Sequence, residues 1–164
     1  ETSEHKSPLI IEKRGLNPGS GGPGKFRGGM GSDVRIRTLK EGRWNLFKPR
    51  RQGCPSWGLW GGKPGFAGTN YFKTPQDEDF RQQEMAQFLV PPGTVVVMRG
   101  TAGGGWGDPL DRDARLVLED VVDELVSQES ALNDYGVILT SDGSDVDWPA
   151  TERTRAERKT SSEF

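Results

Sequence analysis

Near the N-terminus, Gly19 to Phe26 read GSGGPGKF and follow the phosphate-cradling pattern G-x-x-x-x-G-K-[ST] in all but its last position. That pattern works because successive backbone N–H groups wrap a phosphate and the Lys reaches it. The hydroxyl after the Lys holds a magnesium ion at the N-terminus of a helix. Here Phe26 replaces the hydroxyl, and Arg27-Gly28-Gly29-Met30-Gly31 follows, with each glycine costing about 1 kcal/mol in a helix relative to Ala. The stretch is therefore not expected to bind ATP. It reads first as a tight glycine connection between two strands. The second reading is an anion or partner contact, a nest of N–H groups supplemented by Lys25 and Arg27.

A second glycine run, Gly103-Gly104-Gly105-Trp106-Gly107 followed by Asp108-Pro109, stands between a strand pattern and a helix pattern. Such a run puts free N–H groups at the end of an element, and Trp106 adds a flat surface for a substrate or a partner chain. Close backbone packing against a neighbouring subunit is the competing explanation. Ligand- or interface-contact candidates are thus Lys25, Arg27, Gly103, Gly104, Gly105, Trp106 and Asp108. Asp108, Asp111 and Asp113 cluster, but capping and helix-dipole roles explain them without a metal. Asp142, Gly143, Asp145 and Asp147 resemble half of a calcium loop, yet its twelfth position is Arg153 instead of Glu. No metal site is expected, and no catalytic residue is assigned. His5 is the one histidine and lies in the terminal segment, and Cys54 has no candidate base nearby and reads as a small buried residue.

The whole chain limits what these groups can serve. Its 164 residues suit one domain, and 23 Gly and 11 Pro beside 32% hydrophobic residues make that domain loop-rich, with large area buried against other chains. A net charge of −2 provides no global positive field for nucleic acid or anionic membrane. No apolar run approaches transmembrane length, and ETSEHKSPLII lacks the layout of a signal peptide. One cysteine forbids an internal disulfide, so a soluble protein of the reducing cytoplasm is expected.

The elements that must position the glycine runs follow from periodicity. Pro8–Lys13 and the alternating Asp33–Leu39 read as strands, the second with Arg35 and Arg37 on one face. Trp44–Phe47 is expected to pair with it as a hairpin. Pro49 to Thr74 reads as a long irregular path of glycines and aromatics, and 76–89 as a short helix with Phe80, Met85, Phe88 and Leu89 as its stripe. Thr94–Met98 is a β-branched strand. Leu118, Val121, Val122 and Leu125 mark an amphipathic helix, Ser127 with Glu129 starts another that Gly136 ends, and Val137–Leu139 makes a last strand. The fold class is mixed α/β, β-rich, with long glycine-rich loops and two or three short C-terminal helices. Residues 1–146 form a single module, and 147–164 a charged tail that Pro149 turns into a surface helix or that lies on a partner.

GSGGPGKFRGGMG at Gly19–Gly31, LWGGKPG at Leu59–Gly65, GGGWGDPL at Gly103–Leu110, VSQESA at Val126–Ala131 and DYGV at Asp134–Val137 occur in one order along the chain. In that order they resemble the C-terminal part of the hydantoinase B family, which includes chains of N-methylhydantoinases, 5-oxoprolinases and acetone and acetophenone carboxylases. Family chains are several times longer, so the resemblance implies a separate small subunit of an acetophenone carboxylase-like complex, completing a hydantoinase B-like subunit. It further implies a hydantoinase A-like partner with an actin-like nucleotide fold. ATP and Mg would sit on the partner subunits and none on this chain, which would be inactive alone. The expected reaction is carboxylation of a ketone by bicarbonate through a phosphorylated enol, a ligase reaction of ketone degradation. The alternatives are an ATP-dependent cyclic-amide hydrolase of hydantoinase or 5-oxoprolinase type, and a non-enzymatic module binding an anion or nucleic acid. For the last, Lys25, Arg27, Arg35, Arg37, Arg43, Lys48, Arg50 and Arg51 make the N-terminal half basic.

Overall fold

The computed structural model describes residues 2–46, 54–82 and 86–161. After a short helix α1 (Thr2–Lys6), strands β1 (Leu9–Leu16), β2 (Ser32–Thr38), β3 (Gly42–Leu46), β4 (Thr69–Lys73), β5 (Arg81–Gln82), β6 (Ala86–Val90) and β7 (Val95–Arg99) precede helices α2 (Ala114–Val122), α3 (Gln128–Asn133) and α4 (Trp148–Ser161). The fold is mixed α/β and sheet-rich, as the pattern of elements requires. An antiparallel sheet runs in the order β1-β2-β7-β4-β5, and β3 pairs with β6 in a separate ribbon.

β7 is central because its β-branched residues tolerate burial, with Val95 and Val96 nearly inaccessible. β2 lies between β1 and β7, so neither of its edges is open. The expected pairing of Trp44–Phe47 with β2 is therefore impossible, and β3 takes β6 instead, Trp44 opposite Phe88; Phe47 lies outside the described residues. The described residues of the segment 76–89 form no helix. Asp77 accepts hydrogen bonds from the amide and hydroxyl of Thr74 in a turn, and β5 and β6 follow; Met85 lies outside the described residues.

The second half of the chain builds an apolar core from Ala114, Val117, Val126, Ala131, Tyr135, Val137 and Val146. Asp113 caps α2 by accepting from Arg115 N, Ser127 caps α3 by accepting from Ser130 N, and Gly136 turns out of α3 at φ +61°. The face of α2 that enters the core is Ala114, Val117, Leu118 and Val121, one turn earlier than the stripe expected, and Val122 is exposed. Val137–Leu139 is not a strand. The amide of Ile138 donates to Thr151 Oγ1 and its carbonyl accepts from Asp147 N, so the start of α4 consumes the groups a neighbouring strand would need.

α4 has few apolar residues and docks through polar ones. Thr151 is buried against Ile138, Arg155 donates to the carbonyls of Tyr135 and Arg112, and Arg158 donates to those of Leu132 and Asn133 at the end of α3.

Between the sheet and the helices three glycine-rich segments lie backbone against backbone. Gly103–Gly107 is in the middle. Phe26 and Trp106 exchange amide hydrogen bonds of 2.9 Å on one side, and Leu59 N donates to Gly105 O at 2.9 Å on the other. Gly22 N reaches Gly103 O, Lys63 N reaches Pro23 O, and Gly105 N reaches Lys63 O. This approach leaves no room for side chains. A Cβ on Gly22 would stand 2.7 Å from Gly105 N, and one on Gly105 would overlap the Pro23 carbonyl. Gly29 has open space around it. We expect Gly105→Ala to lower stability by about 3 kcal/mol through forced backbone movement. Gly29→Ala should leave stability unchanged or raise it by up to about 1 kcal/mol. Denaturant titration of the two variants checks this contrast in sign.

Candidate functional site

The glycine bundle settles which groups remain free for a ligand. In GSGGPGKF the amides of Gly19, Ser20, Gly21, Gly22, Lys25 and Phe26 donate to Leu125 O, Asn17 O, Met30 Sδ, Gly103 O, Gly107 O and Trp106 O. A phosphate cradle needs those donors, and here they hold the fold together. No helix follows Lys25. The residues do not fit a nucleotide. The second glycine run is the same: Gly103, Gly105, Trp106 and Gly107 donate to Gly29, Lys63, Phe26 and Leu59 carbonyls. Four of the five N–H groups expected to be free there are thus paired, and the close packing is against the chain's own segments.

Arg27 leaves the bundle and reaches α2. Its Nε and an Nη donate to the two carboxylate oxygens of Asp120 at 3.1 and 3.0 Å, while Arg112 donates to Asp120 Oδ2 at 2.9 Å. Asp120 is 7% exposed, so two guanidinium groups hold one buried carboxylate and tie the bundle to the helices. Removing one partner of such a buried group costs about 3–5 kcal/mol. Nothing singled out Asp120 or Arg112 beforehand, although a carboxylate between Val117 and Val121 on the apolar face of α2 is the visible signal of a buried partner.

Tyr135 is buried beneath this cluster, and its hydroxyl has no hydrogen-bond partner among the described residues. Burial pushes its pKa up to about 12. Asp111 is held below the usual carboxylate range by the hydrogen bond from Lys159, which fixes the end of α4 to the turn before α2.

The remaining candidates gather on the outer side of the bundle. The Lys25 side chain lies along Gly107, Trp106 stacks at a tilt on Phe26 with centroids 5.5 Å apart, and Asp108 accepts from Leu110 N to cap the turn Pro109–Asp111. A shallow cavity of about 620 Å³ opens beside them, lined by Gly61, Lys63, Asp108, Leu110, Asp134 and Arg158. Lys63 pairs with Asp134 at 2.8 Å inside it. His5 lies in α1, and Cys54 is exposed instead of buried; neither lines the cavity. Asp142 is held at about 2 by hydrogen bonds from Thr140 and Ser144, and Asp147 caps α4 at Ala150 N. No group of His, Cys, Asp and Glu among the described residues is arranged to hold a metal ion.

Of the basic N-terminal half, Arg35 and Arg37 both pair with Glu12 and Arg27 with Asp120, while Lys48, Arg50 and Arg51 lie outside the described residues. No helix among the described residues is long and apolar enough to cross a membrane.

Comparison with known proteins places this arrangement in a family. Residues 1–109 match the family model described as Hydantoinase B/oxoprolinase, and the chain belongs to that family as a C-terminal piece of it. The caprolactamase subunit beta of Pseudomonas jessenii is 32% identical over 161 residues, covering 95% of this chain and 27% of the relative. The crystal structure of the ATP-dependent caprolactamase from that organism superimposes at TM-score 0.76 and 28% identity, over 93% of this chain and 27% of that one. The acetone carboxylase alpha subunit of Xanthobacter autotrophicus is 28% identical over 197 residues, 96% of this chain and 25% of the relative. An acetone carboxylase structure shares the fold at TM-score 0.74, over 94% of this chain and 25% of that one, with 22% identity. This chain thus spans about a quarter of the length of these relatives.

Tyr135 supplies a test of the buried cluster. A folded pKa above the ordinary 10 favours the neutral phenol, so its contribution is complete below pH 10 and lost as pH rises towards 12. Stability measured across that window should fall for the wild type and fall less steeply for Tyr135→Phe, which loses only an unpartnered hydroxyl. Equal slopes would show that Tyr135 does not control the alkaline limb.

Proposed function

We propose that this chain is the C-terminal module of a hydantoinase B-type subunit in an ATP-dependent complex that opens cyclic amides. The observation that carries the reading is the evenness of the caprolactamase match. It needs 161 aligned positions for 95% of the chain, whereas the acetone carboxylase match needs 197 for 96% and so passes through insertions. Ketone carboxylation, the reaction first expected, is the second reading and rests on the shared fold with acetone carboxylase.

The chemistry divides between chains. A hydantoinase A-like partner with an actin-like nucleotide fold supplies ATP and Mg, and its γ-phosphoryl group passes to the amide oxygen with release of ADP. A first water attacks the activated carbon and the ring C–N bond breaks with the proton going to nitrogen, which leaves an acyl phosphate; a second water then displaces phosphate from that carbon to give the carboxylate. The present chain supports this assignment by what its residues do: the amides of Gly19, Gly21, Gly22, Gly103, Gly105 and Gly107 are spent on the fold, and its one histidine and one cysteine stand outside the cavity. Its role is to complete the body that positions the substrate, in a reducing compartment consistent with its single cysteine.

Purification of the tagged chain from its source cells, with mass spectrometry of its companions, provides the complex for assay. ADP release coupled to ring opening of hydantoin, caprolactam or 5-oxoproline is expected, and it should disappear when this chain is left out. Turnover only with a ketone and bicarbonate would replace the hydrolase reading by the carboxylase one. Recovery of the chain without companions would overturn both and favour the anion- or nucleic-acid-binding module.

A further inference from the structure

Phe26, Trp106 and Leu59 stand in bridge register across the three glycine segments, which puts their side chains on one face. They are 60%, 45% and 52% exposed, a contiguous apolar surface on a chain with few apolar residues to spare. Beside them the turn Leu59–Gly62 is closed by the hydrogen bond from Gly62 N to Leu59 O. At its tip Trp60 has φ +54° and is 80% exposed. A bulky residue in the left-handed region strains the backbone, and glycine would take that conformation freely. The indole stands in solvent, so burial of its ring does not offset the strain. Around this face lie charged groups of the neighbouring cavity, Lys63, Asp108 and Arg158. An apolar centre with a polar rim is the anatomy of a protein interface, and tryptophan is the residue most enriched at its energetic centre.

We infer that the Phe26–Leu59–Trp60–Trp106 face is the seat of the hydantoinase B-type body, the part of the family polypeptide that this chain does not contain. This rests on the function proposed above. Roughly three quarters of each relative's length lies outside the part matched here, and that part supplies the partner surface. The partner is a folded polypeptide with an apolar hollow for the Trp60 turn, flanked by groups complementary to Lys63 and Asp108.

Trp60→Gly separates the interface from the fold, because its two effects have opposite signs. Relief of the left-handed strain should raise the thermal midpoint of this chain by a few degrees, while loss of the indole weakens association with the longer hydantoinase B-like chain by roughly tenfold or more. Trp106→Ala, which keeps the backbone bonds, should weaken association similarly. Affinities are measured with the longer chain purified from the same complex. Wild-type binding with unchanged affinity in both variants would overturn the interface assignment and leave the proposed function standing. Failure of the wild-type chain to bind would overturn the proposed function and this inference with it. Concentration-dependent dimers of the wild type, abolished by Trp60→Gly, would assign the face to a second copy and overturn the inference.

Discussion

Gly103–Gly107 is held on both sides by other backbone. On one side Phe26 and Trp106 exchange amide bonds, on the other Leu59 donates to Gly105 O and accepts from Gly107 N, and no side chain intervenes. Backbone polar groups in such close contact need these partners, since an unpaired buried amide costs as much as a lost hydrogen bond. The composition follows from this constraint. Glycine is required where backbone meets backbone, and the apolar side chains that such a layer carries are forced to its surface.

That displacement explains how a chain with so little hydrophobic content has a defined shape. Its sheet buries Val95 and Val96, the β3–β6 ribbon buries Val90, its helices bury a cluster around Val117 and Tyr135, and the bundle joins sheet and helices without an apolar core of its own. The Arg27–Asp120–Arg112 group crosses from bundle to helices, and α4 closes the far side through Thr151 and Arg155. The proposed contact with a partner falls on the outer surface. The glycines hold the aromatic face in place and leave no amide cradle for a phosphate.

Much of the fold was legible where local physics decides it. β-branched residues gave β7, alternation gave β2, and Asp113, Ser127 and Gly136 bounded the short helices. Pairing partners were not legible, because β3 looks like a neighbour of β2 until β1 and β7 are seen to fill both edges. α4 was ambiguous because its contacts are made by arginine and threonine, which carry no apolar periodicity. Trp106 and Asp108 were proposed as contacts from the glycine run and Lys25 from the phosphate-like motif, and the structure gathers the three on the outer side of the bundle. What the letters hid was the destination of each amide. Arg27 looked like an anion contact because Asp120, its partner, lies far along the chain. Trp60 and Leu59 carried the family resemblance without revealing a strained turn, since φ is not written in the residue names.

The central claim is that the glycine segments are a hydrogen-bonded layer and not loops, and amide hydrogen exchange tests it at single residues. The account predicts that Gly22, Phe26, Gly103, Gly105, Trp106 and Gly107 exchange as slowly as the amides of β7. Exchange of these glycine and aromatic amides at the rate of exposed turns such as Asp142–Ser144 would contradict it.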